Sequence, residues 1–207
     1  MRKTIICILC LFSMTMAAQN ARQILDGTSA RIKQMGDIKV SFTATSFSRT
    51  TEQGRNNGIM LLQGKKMHLS TEDMKMWYNG KTQWSLINES GEVNVSTPTE
   101  QEMISMNPYS FLELYKKGYK LKVRQTKLRN KEVYEIHLEA RPANNNAQEI
   151  YVDVTKKDFV PLCIRIRQNN DWSRISIHSI QGNQHFKETD FEFPKSEYPN
   201  VDIIDLR

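Results

Sequence analysis

From Ile38 onward the chain keeps returning to a period of two, and that period limits its fold more than any other feature. Ile38, Val40, Phe42 and Ala44 alternate with Lys39, Ser41, Thr43 and Thr45. Alternation of this kind puts apolar side chains on one side of a strand and polar ones on the other. Gly54 to Gly58 reads as a turn, with Ile59 to Gln63 as the returning strand. Met67 and Leu69 alternate with Lys66 and His68, and Met74, Met76 and Tyr78 run up to Asn79-Gly80, a strong hairpin signal. Trp84 and Leu86 follow on the next strand, and Ser90-Gly91 turns into Val93 and Val95.

The last third keeps the same rhythm. Tyr119, Leu121 and Val123 form one strand, and Tyr134, Ile136 and Leu138 another, with Glu135, His137 and Glu139 outward. Ile150, Val152 and Val154 come next, then Val160, Leu162, Ile164 and Ile166, then Ile175 and Ile177. Phe191 and Phe193 are expected to close the pattern before Pro194. Short turns between strands imply antiparallel pairing, and a long sheet tends to curl as its twist accumulates.

Two segments depart from period two. Ile24, Leu25, Thr28, Ile32 and Met35 fall on one helical stripe, with Arg22, Ser29, Arg31 and Lys33 off it, and Gly36 ends it. In the middle, Thr99 caps a second helical segment, with Glu102 placed to complete a capping box. Met103, Ile104 and Met106 follow, and Asn107-Pro108 starts a short helix carrying Tyr109, Phe111, Leu112, Leu114 and Tyr115, stopped by Gly118. The expected fold is therefore mainly β with helices (α+β). It is an incomplete, strongly curved antiparallel β-barrel of about eleven strands, with an N-terminal helix and a mid-chain helical lid.

The first residues read as an export signal over 1–18, leaving a single domain over 19–207. Arg2 and Lys3 precede an apolar run from Thr4 to Met16, and Ala17 and Ala18 supply the small residues of a cleavage site. The run is short of the ~20 apolar residues of a spanning helix. Leu9 precedes Cys10 and Ile6 precedes Cys7, where lipidation would need a small residue, so a free rather than anchored protein is expected. After cleavage Cys163 is the only cysteine, so no internal disulfide forms, and the net charge falls from +6 to +4.

Catalytic signatures are missing. The four histidines, His68, His137, His178 and His185, have no metal-ligand spacing, and no metal or cofactor is expected. His68, His137 and His178 fall on polar phases and read as solvated. There is no Gly-x-Ser-x-Gly elbow and no phosphate loop, and Cys163 lies in a regular strand as a structural thiol. The aromatic residues sit on apolar phases rather than among exposed cations, so nucleic acid is not expected as a partner.

The choice of apolar residue is the positive signal. Met60, Met67, Met74 and Met76 crowd neighbouring strands, and Met103 and Met106 sit in the insert. Methionine suits surfaces that take varied apolar shapes, although it also serves as ordinary core filler.

With these elements in order, the chain resembles the LolA family of periplasmic lipoprotein carriers. Ile32-Lys-Gln-Met-Gly-Asp-Ile38-Lys-Val-Ser-Phe-Thr43 is similar to that family's passage from helix to first strand. Gly58-Ile-Met-Leu-Leu-Gln-Gly64 and Met67-His-Leu69 resemble its next two strands, and Tyr78-Asn-Gly-Lys-Thr-Gln-Trp84 its hairpin. Phe191-Glu-Phe-Pro194 through Val201-Asp-Ile-Ile-Asp205 resembles its closing segment.

The resemblance implies a monomeric, non-enzymatic periplasmic chaperone whose hydrophobic cavity shelters the acyl chains of lipoproteins between the inner and outer membranes. It implies acylated lipoproteins as cargo, an inner-membrane releasing transporter and an outer-membrane acceptor. On this reading Met60, Leu62, Met67, Leu69, Met74, Met76, Trp84, Leu86 and Ile136 line the cavity. Ile24, Leu25, Ile32, Met103, Met106, Phe111 and Leu112 form the lid. The family's latching Arg-Pro is replaced by Gln63-Gly64-Lys65-Lys66, which leaves Lys65 or Lys66 as the candidate latch. The alternatives are a lipid-binding protein or sensor of the same fold in another envelope pathway, and an envelope enzyme.

Overall fold

In the computed structural model, residues 20–99, 102, 115–116, 118–141 and 148–207 are described. The expected export segment, Met103, Met106, Phe111 and Leu112 of the expected lid, and the Asn144 to Asn146 loop lie outside them.

The protein is mostly β. Helix α1 runs over 20–34 and is followed by strands β1 (Ile38–Ser48), β2 (Thr51–Gln63), β3 (Lys66–Thr71), β4 (Met74–Tyr78), β5 (Gln83–Ile87) and β6 (Glu92–Ser96). Then come β7 (Tyr119–Leu128), β8 (Lys131–Ala140), β9 (Glu149–Thr155), β10 (Pro161–Gln168), β11 (Asp171–Gln181) and β12 (Asp202–Asp205). Two 3-10 turns, Glu188–Phe191 and Lys195–Glu197, lie between β11 and β12. The hydrogen-bonded order is β12-β6-β5-β4-β3-β2-β1-β11-β10-β9-β8-β7. The order is linear, so the sheet is open, as an incomplete barrel requires. No helix among the described residues is long and apolar enough to cross a membrane.

Two compact units are woven from alternating stretches of chain. The first comprises Met1–Gln34 and Pro108–Arg174, and the second Met35–Asn107 and Ile175–Arg207. In the first unit, α1 buries Ala21, Ile24, Leu25 and Thr28, while Arg22, Arg31 and Lys33 stay exposed and Ile32 is half-buried. The Thr28 hydroxyl donates to the Ile24 carbonyl at 2.9 Å, which satisfies it without leaving the helix. Strand register gives β7–β10 one apolar face, built in rows such as Val123, Ile136, Val152 and Ile164. The other face carries rows of charge, including Arg124, Glu135 and Asp153.

In the second unit Gly36, with φ of 64°, releases the chain from helix to strand as expected. Three expectations need correction here. Gly54 to Gly58 is not a turn but the middle of β2, which pairs with β1 from Thr51 onward. Gly58 stands opposite Phe42, and a Cβ there would lie 2.4 Å from Phe42 Cζ, so the glycine makes room for a ring. Phe191 and Phe193 do not make the closing strand: Phe191 ends a 3-10 turn, and the closing strand is β12. That strand pairs with β6 in parallel, the exception to an otherwise antiparallel set of registered pairs. The expected cap of the mid-chain insert is present, since Glu102 accepts from the Thr99 amide (2.7 Å) and hydroxyl (2.8 Å), and the Glu102 amide donates back to Thr99 Oγ1.

Candidate functional site

Paired residues on adjacent strands share a face, so register locates each expected lining residue. Val40, Met60, Leu69, Met76, Ser85 and Asn94 form one row across β1–β6. Ile38, Leu62, Met67, Tyr78, Gln83 and Ser96 form the next, and Met74 stands beside Ile87. Six expected residues, Met60, Leu62, Met67, Leu69, Met74 and Met76, therefore share one face of the second unit. Met60, Met67 and Met76 are at most 2% exposed, and Leu62, Leu69 and Met74 are half-buried. In these two rows the face passes from apolar residues on β1–β4, Tyr78 included, to polar ones on β5 and β6 at Gln83, Ser85, Asn94 and Ser96, while Ile87 keeps the Met74 row apolar on β5.

Trp84 and Leu86 do not join them. Trp84 pairs with Trp77 and Val95, and Leu86 with Lys75 and Val93, all on the opposite face. There Trp77, Leu86, Val93 and Val95 form a second small core with Trp84, Phe193, Tyr198 and Val201. Phe193 meets the Trp77 ring edge-on at 5.4 Å and stacks on Tyr198 at 5.5 Å, and the Lys75 ammonium donates to the Tyr198 hydroxyl at 2.8 Å. The chain leading into β12 thus covers the back of β4–β6. Ile136 is fully buried on the apolar face of the first unit, in the row of Val123, Val152 and Ile164.

The candidate latch residues differ from each other. Lys66 forms an ion pair with Glu188, which ties the start of β3 to the first 3-10 turn. Lys65 is exposed at the β2–β3 corner beside Gly64, whose φ is 59°. Of the expected lid, Ile24 and Leu25 are buried on α1, and the Tyr115 hydroxyl bonds Asp26 of the same helix.

Two of the histidines, His68 and His137, are less solvated than their phases suggest, while His178 is exposed as expected. His68 stacks on Trp77 with centroids 5.1 Å apart, its Nε2 is buried without a partner, and desolvation pushes its pKa down. His137 stacks on Tyr151 at 4.2 Å and meets Glu149 at 3.1 Å, and His178 Nε2 lies 2.7 Å from Thr43 Oγ1. Cys163 is buried, and desolvation raises its thiol pKa, the reverse of a nucleophile's need. Among the described residues no cluster of His, Cys, Asp or Glu is placed to hold a metal ion.

Around Glu135 the first unit carries a polar network. Glu135 accepts from Arg124 at 2.5 Å and from Arg165 at 2.6 Å, and Arg165 also lies 3.5 Å from Asp153. Burial would raise the Glu135 carboxyl, but the two arginines outweigh it and hold the pKa below the usual range. This is a structural ladder in which both arginines are paired with carboxylates.

Fold and face together define a sheet scaffold with one sheltered, methionine-rich side and no assembled catalytic group among the described residues. The chain belongs to the LolA family: the family model described as "Outer membrane lipoprotein carrier protein LolA" matches residues 11–170. No curated protein matches the chain. Solved structures share the fold at low identity. An uncharacterized conserved protein from Thermus thermophilus is similar with a TM-score of 0.59 and 8% identity, covering 90% of this chain and 99% of its own. LprF from Mycobacterium bovis is similar with a TM-score of 0.51 and 9% identity, covering 86% and 98%.

The polar residues of the face, Gln83 above all, lie outside the methionine pattern, which marks only its apolar part. A parity rule finds Gln83. A hairpin loop with an even number of residues pairs even-numbered positions with odd-numbered ones. Hence Gln83 shares the face of Tyr78 and Met76, and Trp84 that of Trp77.

Proposed function

We propose that this protein is a periplasmic carrier that shelters the acyl chains of lipoproteins against the methionine face of β1–β4 and moves them between the inner and outer membranes. The observation that carries the reading is the placement of Met60, Met67, Met74 and Met76, with Leu62 and Leu69, on a single face. Flexible thioethers adapt to chains of different length and tilt without fixed pockets. Each methylene taken out of water is worth ~0.8 kcal/mol, so a carrier must temper a large gain to release its load. A cover that competes with the cargo for the same surface would do so. The loading partner on this reading is a membrane transporter and the unloading partner an outer-membrane acceptor. Family membership makes a carrier, not an enzyme, the starting expectation.

The test is photo-crosslinking in living cells from two positions on opposite faces. A crosslinker in place of Met67 is expected to trap mature lipoproteins, and one in place of Trp84 is not. Free lipid, glycan or no adduct from Met67 would overturn the assignment.

A further inference from the structure

Gln83 opens β5 across the hairpin from Tyr78, and register carries it onto the methionine face in the row of Leu62 and Met67. It is 7% exposed. Its amide Nε2 donates to Ser85 Oγ at 2.9 Å, while its Oε1 is buried with no partner. An unpaired carbonyl oxygen away from water is costly, and folded proteins keep few of them. Leucine or methionine would occupy the same volume without that cost, so the fold alone gives no reason for a carboxamide here. Apolar binding sites, by contrast, use one or two placed polar groups to orient an otherwise greasy ligand.

We propose that Gln83 is the polar recognition point of the acyl-binding face. Its Oε1 accepts a hydrogen bond from a neutral donor at the head of the acyl chain, a hydroxyl or an amide N–H. The apolar rows on β1–β4 receive the chain, and the polar end of the face at Gln83, Ser85 and Ser96 receives the head. Bound this way, a ligand has a direction: head toward β5 and β6, tail toward β1. This inference rests on the acyl-binding reading given above.

Three probes of equal chain length test it by displacement of a fluorescent fatty-acyl reporter: 1-decanoylglycerol, N-ethyldecanamide and methyl decanoate. The first supplies hydroxyl donors, the second an amide donor, and the third none. The wild-type protein is expected to bind at least one donor-bearing probe about three- to tenfold more tightly than the methyl ester, the worth of one neutral hydrogen bond. Which of the two gains identifies the donor. Gln83→Leu is expected to erase that preference while leaving methyl decanoate affinity and thermal stability equal or higher. Gln83→Met serves the same purpose should the leucine variant misfold. Equal binding of all three probes to wild type, or a preference that survives both substitutions, overturns the role of Gln83 and leaves the acyl-binding reading standing. Failure of every probe to displace the reporter overturns both.

Discussion

Phe42 and Gly58 show how much one missing side chain decides. The Phe42 ring lies across the backbone of Gly58 on the neighbouring strand, where a Cβ would come within 2.4 Å of it. Gly58→Ala is therefore expected to destabilise the protein by about 1–3 kcal/mol through overpacking. Denaturant unfolding checks this, and Phe42→Leu in the same chain should recover part of the loss. Glu135 makes a second case. Its native pKa lies below the ordinary carboxylate value of about 4.5, so its bonds to Arg124 and Arg165 contribute fully above that pH. The contribution fades as pH falls through the lower native value. Asp153, raised chiefly by burial, acts in the opposite direction and softens the loss. The wild-type denaturation midpoint is expected to drop more steeply than that of Glu135→Gln on going from pH 6 to pH 3. Parallel pH curves would show that Glu135 has no such linkage.

At the scale of elements, the stretch between β11 and β12 behaves as a strap across the back of β3–β6. Lys66 holds Glu188, Lys75 holds Tyr198, and Trp77 receives Phe193. His68 sits under it, stacked on Trp77 and bonded to the Asp190 backbone, with Lys75 and Asp190 as the charged groups that bear on it. A protonated ring would leave a charged Nε2–H without an acceptor. Because burial lowers the native pKa from about 6.5, the unfolded state takes the proton first as pH falls through that value. Stability is lost in the window below it. The opening free energy at 190–198, taken from amide exchange after correction for the intrinsic pH dependence of the exchange rate, is expected to fall between pH 7 and pH 5, and His68→Phe to flatten that dependence. A dependence as steep in the variant would remove His68 from the account.

For the molecule as a whole, one face of the second unit holds the segment that leads into β12, and the other is the face assigned to the cargo under the proposed carrier role. Leu69→Asn puts a polar group on the half-buried methionine face and is expected to weaken binding of a fluorescent acyl probe by about tenfold, near 1.4 kcal/mol. Trp84→Phe and Cys163→Ala should leave that affinity within about twofold, since neither residue lies on the methionine face. Loss of binding in Cys163→Ala would revive an enzymatic role for the thiol.

Much of this is legible in the sequence alone. The stripe of α1, the capping box at Thr99 and Glu102, the left-handed Gly36 and the strand phases follow from local stereochemistry, which adjacent residues decide between them. The strand around Gly54 and Gly58 is not legible, because glycine signals turns unless a distant ring such as Phe42 needs its space. Nor is the parallel seat of β12, or the cover that Phe193, Tyr198 and Val201 provide over Trp84 and Leu86. Period two states that a strand has an apolar face. Only long-range pairing decides what that face meets, and for Trp84 and Leu86 it is the chain's own C-terminal segment rather than the methionines.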